Sequence, residues 1–159
     1  MPKKKSVDSK EEIVKQLAEE LLAGLQIPAT VTVSPGEEDT LSVNITTEES
    51  GLLIGYHGET LSSFQLILGL MVYKKLGQWV KVVVEIGDYR AKRAEQLTAM
   101  AQAYANQALS TGQPVYLPPL PPSERRVVHL ALQENPQVET ESVGDGNSRR
   151  VVVKPKGAD

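Results

Sequence analysis

Residues 51–61 read Gly51-Leu52-Leu53-Ile54-Gly55-Tyr56-His57-Gly58-Glu59-Thr60-Leu61. Two glycines with two residues between them follow a short apolar segment. They precede a helical pattern from about Glu59 to Leu76, with Leu61, Phe64, Leu68 and Met71 on one stripe. Glycine has no Cβ, so the backbone there can pass close to a ligand. The helix that follows offers open N–H groups and a positive dipole end, which suit a phosphate. Spacing alone leaves a second reading open: a tight helix–helix turn that binds nothing.

The surroundings of this stretch set the fold class. Downstream, Gly77 ends the helix, and Val80, Val82, Val84 and Ile86 alternate as a strand bounded by Gly87. Upstream, Val31 and Val33, then Leu41, Val43 and Ile45, alternate with polar residues around the turn cluster Ser34-Pro35-Gly36-Glu37-Glu38-Asp39, the pattern of a β-hairpin. A first helix runs from Ser9 to Leu25. Ser9 and Glu12 form a capping box, Ile13, Leu17, Leu21 and Leu25 make its apolar stripe, and Gly24 and Pro28 mark its exit. The order is α-β-β-α-α-β, a complete α+β unit with room for a modest core of its own.

A second unit follows. Asp88 caps a long helix to about Ser110, striped by Leu97, Ala101, Tyr104 and Ala108 and stopped at Thr111-Gly112. Val115-Tyr116-Leu117 is a short strand, and Pro118 to Pro122 is a stiff extended connector. Ser123 caps a short helix to about Gln133. Val138 to Val143 and Arg149 to Lys154 are two strands joined by a Gly-Asp-Gly-Asn-Ser turn. This unit reads α-β-α-β-β. The expected architecture is α+β, with two small adjacent domains at residues 9–87 and 88–155.

Composition narrows the function classes. The chain has 159 residues, 40% of them hydrophobic, and no cysteine, so disulfides, thiolate zinc sites and a cysteine nucleophile are excluded. The longest apolar run is too short to span a bilayer, and Lys3 to Lys5 are followed by no apolar segment of a signal peptide; a cytoplasmic location is expected. Net charge is −3, unevenly spread. Residues 1–60 carry 5 basic and 11 acidic side chains, whereas residues 61–159 carry 12 basic and 9 acidic ones, so an anionic ligand should meet the second part. Trp79 and Tyr104 are expected to be partly buried.

That second part holds Arg125-Arg126-Val127-Val128-His129. Arg125 and His129 stand four apart, on one helix face. Arg126, Arg149, Arg150 and Lys154 add charge, and arginine suits phosphate through its planar donor fork. The plain alternative is an exposed polar face with one satisfied histidine. Enzyme readings find no support. The glycine loop has no GKS or GKT ending, and HExxH, DxD and GxSxG are missing. Two distant histidines build no familiar metal centre. No catalytic residue, metal or cofactor is expected.

The first unit resembles a KH domain of the bacterial type (type II), in its element order and in its apolar-Gly-x-x-Gly-x-x-apolar loop. By that resemblance the loop Gly55, Tyr56, His57 and Gly58, flanked by Ile54 and Leu61, clamps the backbone of about four nucleotides. KH loops commonly place Lys or Arg in the middle; here the middle residues are Tyr56 and His57. Residues 88–155 resemble an R-3-H domain, whose paired Arg and His imply single-stranded nucleic acid binding by Arg125 and His129.

A KH domain followed directly by an R-3-H domain is similar to the Jag family (also called KhpB or SpoIIIJ-associated), without the separate N-terminal domain that many members carry. The resemblance implies a non-catalytic binder of single-stranded RNA, a post-transcriptional regulator or RNA chaperone. It further implies pairing with a small KH-only protein or a membrane-insertase tail. The alternative is a protein–protein adaptor with weakened RNA affinity, linked to membrane-protein insertion or cell-envelope growth.

Overall fold

A computed structural model describes residues 9–157. The chain forms two units, the first extending to Tyr89 and the second starting at Arg90.

In the first unit, helix α1 (Lys10–Gly24) is capped by Ser9, whose side chain accepts from the Glu12 N–H at 3.3 Å. Its buried row is Val14, Ala18 and Leu22. The expected stripe was one residue out of phase: Leu17 and Leu21 sit on the margin of the core, and Leu25 is 51% exposed. The i, i+4 rows of an apolar face lie side by side, and the leucine row marks its border rather than its centre. The helix ends at Gly24, as expected, with Leu25 at the cap position. Gln26 takes the left-handed conformation (φ 58°), and the Ile27 N–H reaches back to the Leu22 carbonyl, a Schellman closure.

Strands β1 (Thr30–Pro35) and β2 (Leu41–Thr46) form the expected hairpin, with Val31 opposite Ile45 and Val33 opposite Val43. Helix α2 (Ser50–Ile54), a single 3₁₀ turn (Tyr56–Gly58) and helix α3 (Glu59–Leu76) follow. Strand β3 (Val82–Ile86) then adds parallel to β2, giving the sheet order β1-β2-β3. Leu61, Phe64, Leu68 and Val72 of α3 enter the core, so Val72 replaces the expected Met71. The Gln65 side chain accepts from the Val84 N–H at 3.0 Å, so α3 covers part of the open edge of β3. Trp79 is 67% exposed and stacked on Tyr73, not in the core.

In the second unit, helix α4 (Tyr89–Thr111) buries Leu97, Ala101, Ala105 and Ala108, with Tyr104 half-buried against them. Strands β4 (Val115–Tyr116), β5 (Val138–Val143) and β6 (Arg150–Pro155) make an antiparallel sheet in the order β4-β6-β5. Helix α5 (Pro122–Leu132) packs on it. Its cap position is Pro121, with Pro122 as the first helical residue, rather than Ser123. Proline fits there because that N–H has no helical partner to lose. Glu124 of α5 is buried and grips Arg93 of α4 through two bonds of 2.8 and 2.9 Å. Removing one partner would leave a buried charge, which costs several kcal/mol.

The phase of α1 can be checked directly. Leu22→Ala should lower unfolding free energy by about 2–5 kcal/mol, and Leu25→Ala by less than about 0.5 kcal/mol, in denaturant titrations. Equal losses would return Leu25 to the core.

Candidate functional site

Two regions hold the residues singled out from the sequence. The first is the turn between α2 and α3. Gly55 has φ 70° and ψ −170°, and Gly58 has φ 79°. Both values lie in regions that residues with a Cβ avoid. A Cβ on Gly55 would also run into the Thr60 side chain, and one on Gly58 would stand 3.2 Å from the Tyr89 ring. His57 adopts φ 51°, an uncommon conformation for a residue with a side chain. Three left-handed residues in four turn the chain sharply at the start of α3, with Gly58 buried and Gly55 and His57 half-buried. The cap position there is Gly58, which has no side chain to satisfy the first-turn N–H groups. The Gly58 N–H is taken by the Gly55 carbonyl at 3.4 Å and the Glu59 N–H by the Tyr56 carbonyl, so what the turn offers an anion is the positive end of the α3 dipole where the two glycines carry no Cβ.

Around this turn the side chains divide by role. Tyr56 is 73% exposed, and its ring meets that of His57 edge-on, with centroids 3.9 Å apart. Ile54 is half-buried against the first core, and Leu61 is inside it. These two apolar flanks therefore anchor the turn from below and present little surface to a ligand.

The second region is the α5, β5 and β6 layer, with Arg150 at one end of the β5–β6 ladder and Lys154 four residues along it. Arg126 is exposed. Arg125 is half-buried, and its Nε donates to the Leu120 carbonyl at 3.1 Å, bracing the proline connector. Arg149 donates to the Gly144 carbonyl at 3.1 Å, and Arg150 to the Ser148 carbonyl at 3.4 Å. Each of these guanidinium groups has five donors, so such single bonds leave N–H groups for a ligand. Lys154 pairs with Glu141 at 2.7 Å, and that hydrogen bond and charge hold its ammonium above the usual lysine range. Charge at this lysine is therefore already partly answered.

His129 differs most from its sequence-based picture of an exposed ligand group. It is half-buried, with Nδ1 2.7 Å from the Thr140 hydroxyl and Nε2 2.9 Å from the Ser142 hydroxyl. Burial, and then the charge of Arg125, push its pKa below the ordinary 6.5. The neutral ring donates through one nitrogen and accepts through the other. It ties α5 to β5 and sets the helix that carries Arg125 and Arg126. Thr140 and Ser142 were not singled out from the sequence, although their alternation with Glu139 and Glu141 places both on one strand face. The Arg93–Glu124 grip was missed too, because single charges in helices usually mark solvated faces. Among the described residues, no group of three or more His, Asp or Glu side chains could hold a metal, and no helix is long and apolar enough to cross a membrane.

The latch predicts a pH effect with a definite sign. The unfolded chain protonates His129 near its ordinary pKa and the folded chain only at lower pH. Stability is therefore full above about pH 6.5 and falls as pH drops toward the lowered value. His129→Asn should cost about 1–3 kcal/mol at pH 7.5 and should remove that part of the decline between pH 7.5 and 5.5. Unfolding titrations at both pH values check this. An unchanged slope would place the titration elsewhere.

Comparison with known proteins adds an independent line. Residues 11–86 match the family model of the KhpA/KhpB KH domain, and residues 95–155 that of the R-3-H domain. The RNA-binding protein KhpB of Bacillus subtilis is 36% identical over 143 residues, which cover 89% of this chain and 67% of that protein. RNA-binding protein KhpB of Clostridium symbiosum is 32% identical over 142 residues (89% and 64%), and that of Lactiplantibacillus plantarum 35% over 146 (90% and 45%). The chain thus spans between about half and two thirds of the length of these relatives.

Proposed function

Because the chain belongs to the KhpB family of KH and R-3-H proteins, we propose that it binds single-stranded RNA without catalysing a reaction. The observation that carries this reading is the left-handed turn at Gly55–Gly58 that leads into α3. Its two glycines leave no Cβ in the way of a phosphate, and the positive end of the α3 dipole favours one. RNA-binding KhpB relatives support RNA as the ligand. In the second unit Arg125, Arg126, Arg149 and Arg150 hold further phosphates, and His129 acts by fixing the helix that carries Arg125 and Arg126. The working division is a KH domain at residues 9–87 and an R-3-H domain at 88–155. The proposed setting is the cytoplasm, and the proposed role that of a post-transcriptional regulator or RNA chaperone.

The second reading, a protein–protein adaptor, is favoured by one observation: Leu66, Ile67 and Leu70 of α3 are 64%, 46% and 46% exposed. The two readings separate by salt. Binding of a single strand weakens by about 0.7 in log K per log salt for each phosphate neutralised, and an adaptor shows no such slope with RNA.

The loop itself is tested by two variants. Tyr56→Lys should tighten binding of a short unstructured RNA and steepen the salt slope by about 0.7. The double change Tyr56→Asp and His57→Asp keeps both glycines, and Asp tolerates the left-handed region. It should weaken binding at least several-fold through like-charge repulsion, with the melting temperature close to the parent's. If neither variant moves affinity, the loop holds no phosphate.

A further inference from the structure

Trp79 is the single tryptophan of the chain, and it is 67% exposed. An indole left in water forgoes the burial that makes this residue valuable in a core. It is nevertheless held in place. Gly77 closes α3 in the left-handed conformation, its N–H on the Tyr73 carbonyl at 2.8 Å, and the chain folds back so that the indole lies on the Tyr73 ring. The two rings are 4.7 Å apart between centroids and 19° from parallel. Beside the indole is a groove of about 590 Å³, lined also by Lys10, Lys81, Glu11, Glu38 and Asp39.

We propose that this groove takes one unpaired nucleobase of a bound single-stranded RNA, stacked on Trp79; the proposal rests on the RNA-binding reading above. A rigid, exposed aromatic plane matches a planar aromatic ligand, because every base has a π-face. The carboxylates of Glu11, Glu38 and Asp39 repel phosphate but accept from exocyclic amino groups, as acidic side chains do from cytosine N4. Lys10 and Lys81 serve base carbonyls or a flanking phosphate. The groove therefore receives a base edge, with the sugar–phosphate chain outside it. The path to it follows from α3. The helix starts at the glycine turn and ends next to Trp79, and its 18 residues span roughly 27 Å. A strand gripped at the turn reaches the groove after a few nucleotides. Exposed tryptophans also anchor protein partners, and the test separates that case.

The lone tryptophan makes its own emission the probe. Short adenylate, cytidylate and uridylate homopolymers are titrated into the full chain, with emission followed beside the anisotropy of end-labelled RNA. The expected result is quenching that saturates together with anisotropy, and stronger quenching by the amino-bearing adenylate and cytidylate than by uridylate. Trp79→Ala should weaken binding about 5- to 100-fold with the salt slope unchanged, because a stack neutralises no phosphate. Trp79→Phe should recover part of the loss. Melting curves confirm that both variants fold. The proposal is overturned if anisotropy reports binding while emission stays constant and Trp79→Ala binds like the parent; a change in sedimentation of that variant would then mark a protein contact. If the parent gives no anisotropy change with any RNA, the RNA-binding reading itself falls, a different outcome from a silent Trp79.

Discussion

Between α2 and α3 the chain reverses through Gly55, His57 and Gly58, all at positive φ, within four residues. That reversal sets where α3 begins, and α3 supplies one wall of the first core through Leu61, Phe64, Leu68 and Val72. A Cβ at Gly55 would strike the Thr60 side chain, and one at Gly58 would press on Tyr89. The same two glycines thus satisfy a packing constraint and, in the proposed function, leave backbone rather than side-chain charge to meet the ligand. With Tyr56 and His57 between them, the attraction proposed for phosphate comes from the α3 dipole.

The second unit works by a different principle. Its arginines are placed by a scaffold of polar ties: the Arg93–Glu124 pair joins α4 to α5, and His129 joins α5 to β5 through Thr140 and Ser142. Both ties are shielded enough to be directional and costly to break. Arg125, Arg149 and Arg150 keep donors for a ligand while one bond each holds them to a nearby carbonyl. In this division of labour the histidine of the Arg–His pair fixes geometry and the arginines carry charge.

Period-two and period-3.6 patterns were sufficient to read the element order and both sheets' strands, because each strand and helix buries one face. The phase of a stripe was harder. In α1 the leucine row flanks the buried Val14, Ala18 and Leu22, and a single helix cannot reveal which of two adjacent rows its partners cover. Ends were read from residue type: Gly24 does end α1, with Gln26 in the left-handed turn beyond it, but Pro121 rather than Ser123 stands at the cap of α5. At the candidate site the glycine turn was visible in spacing. The burial of His129 and the exposure of Trp79 were not, since both depend on groups brought close only by the fold.

The central claim is that a ligand strand is held by the backbone at the start of α3. Amide chemical shifts of the labelled full chain, followed on adding a short unstructured RNA, test it most directly. The largest changes should fall on the amides of residues 55–61, with a second group on the side-chain N–H signals of Arg125 and Arg126. Saturable binding that leaves the 55–61 amides unmoved would contradict it.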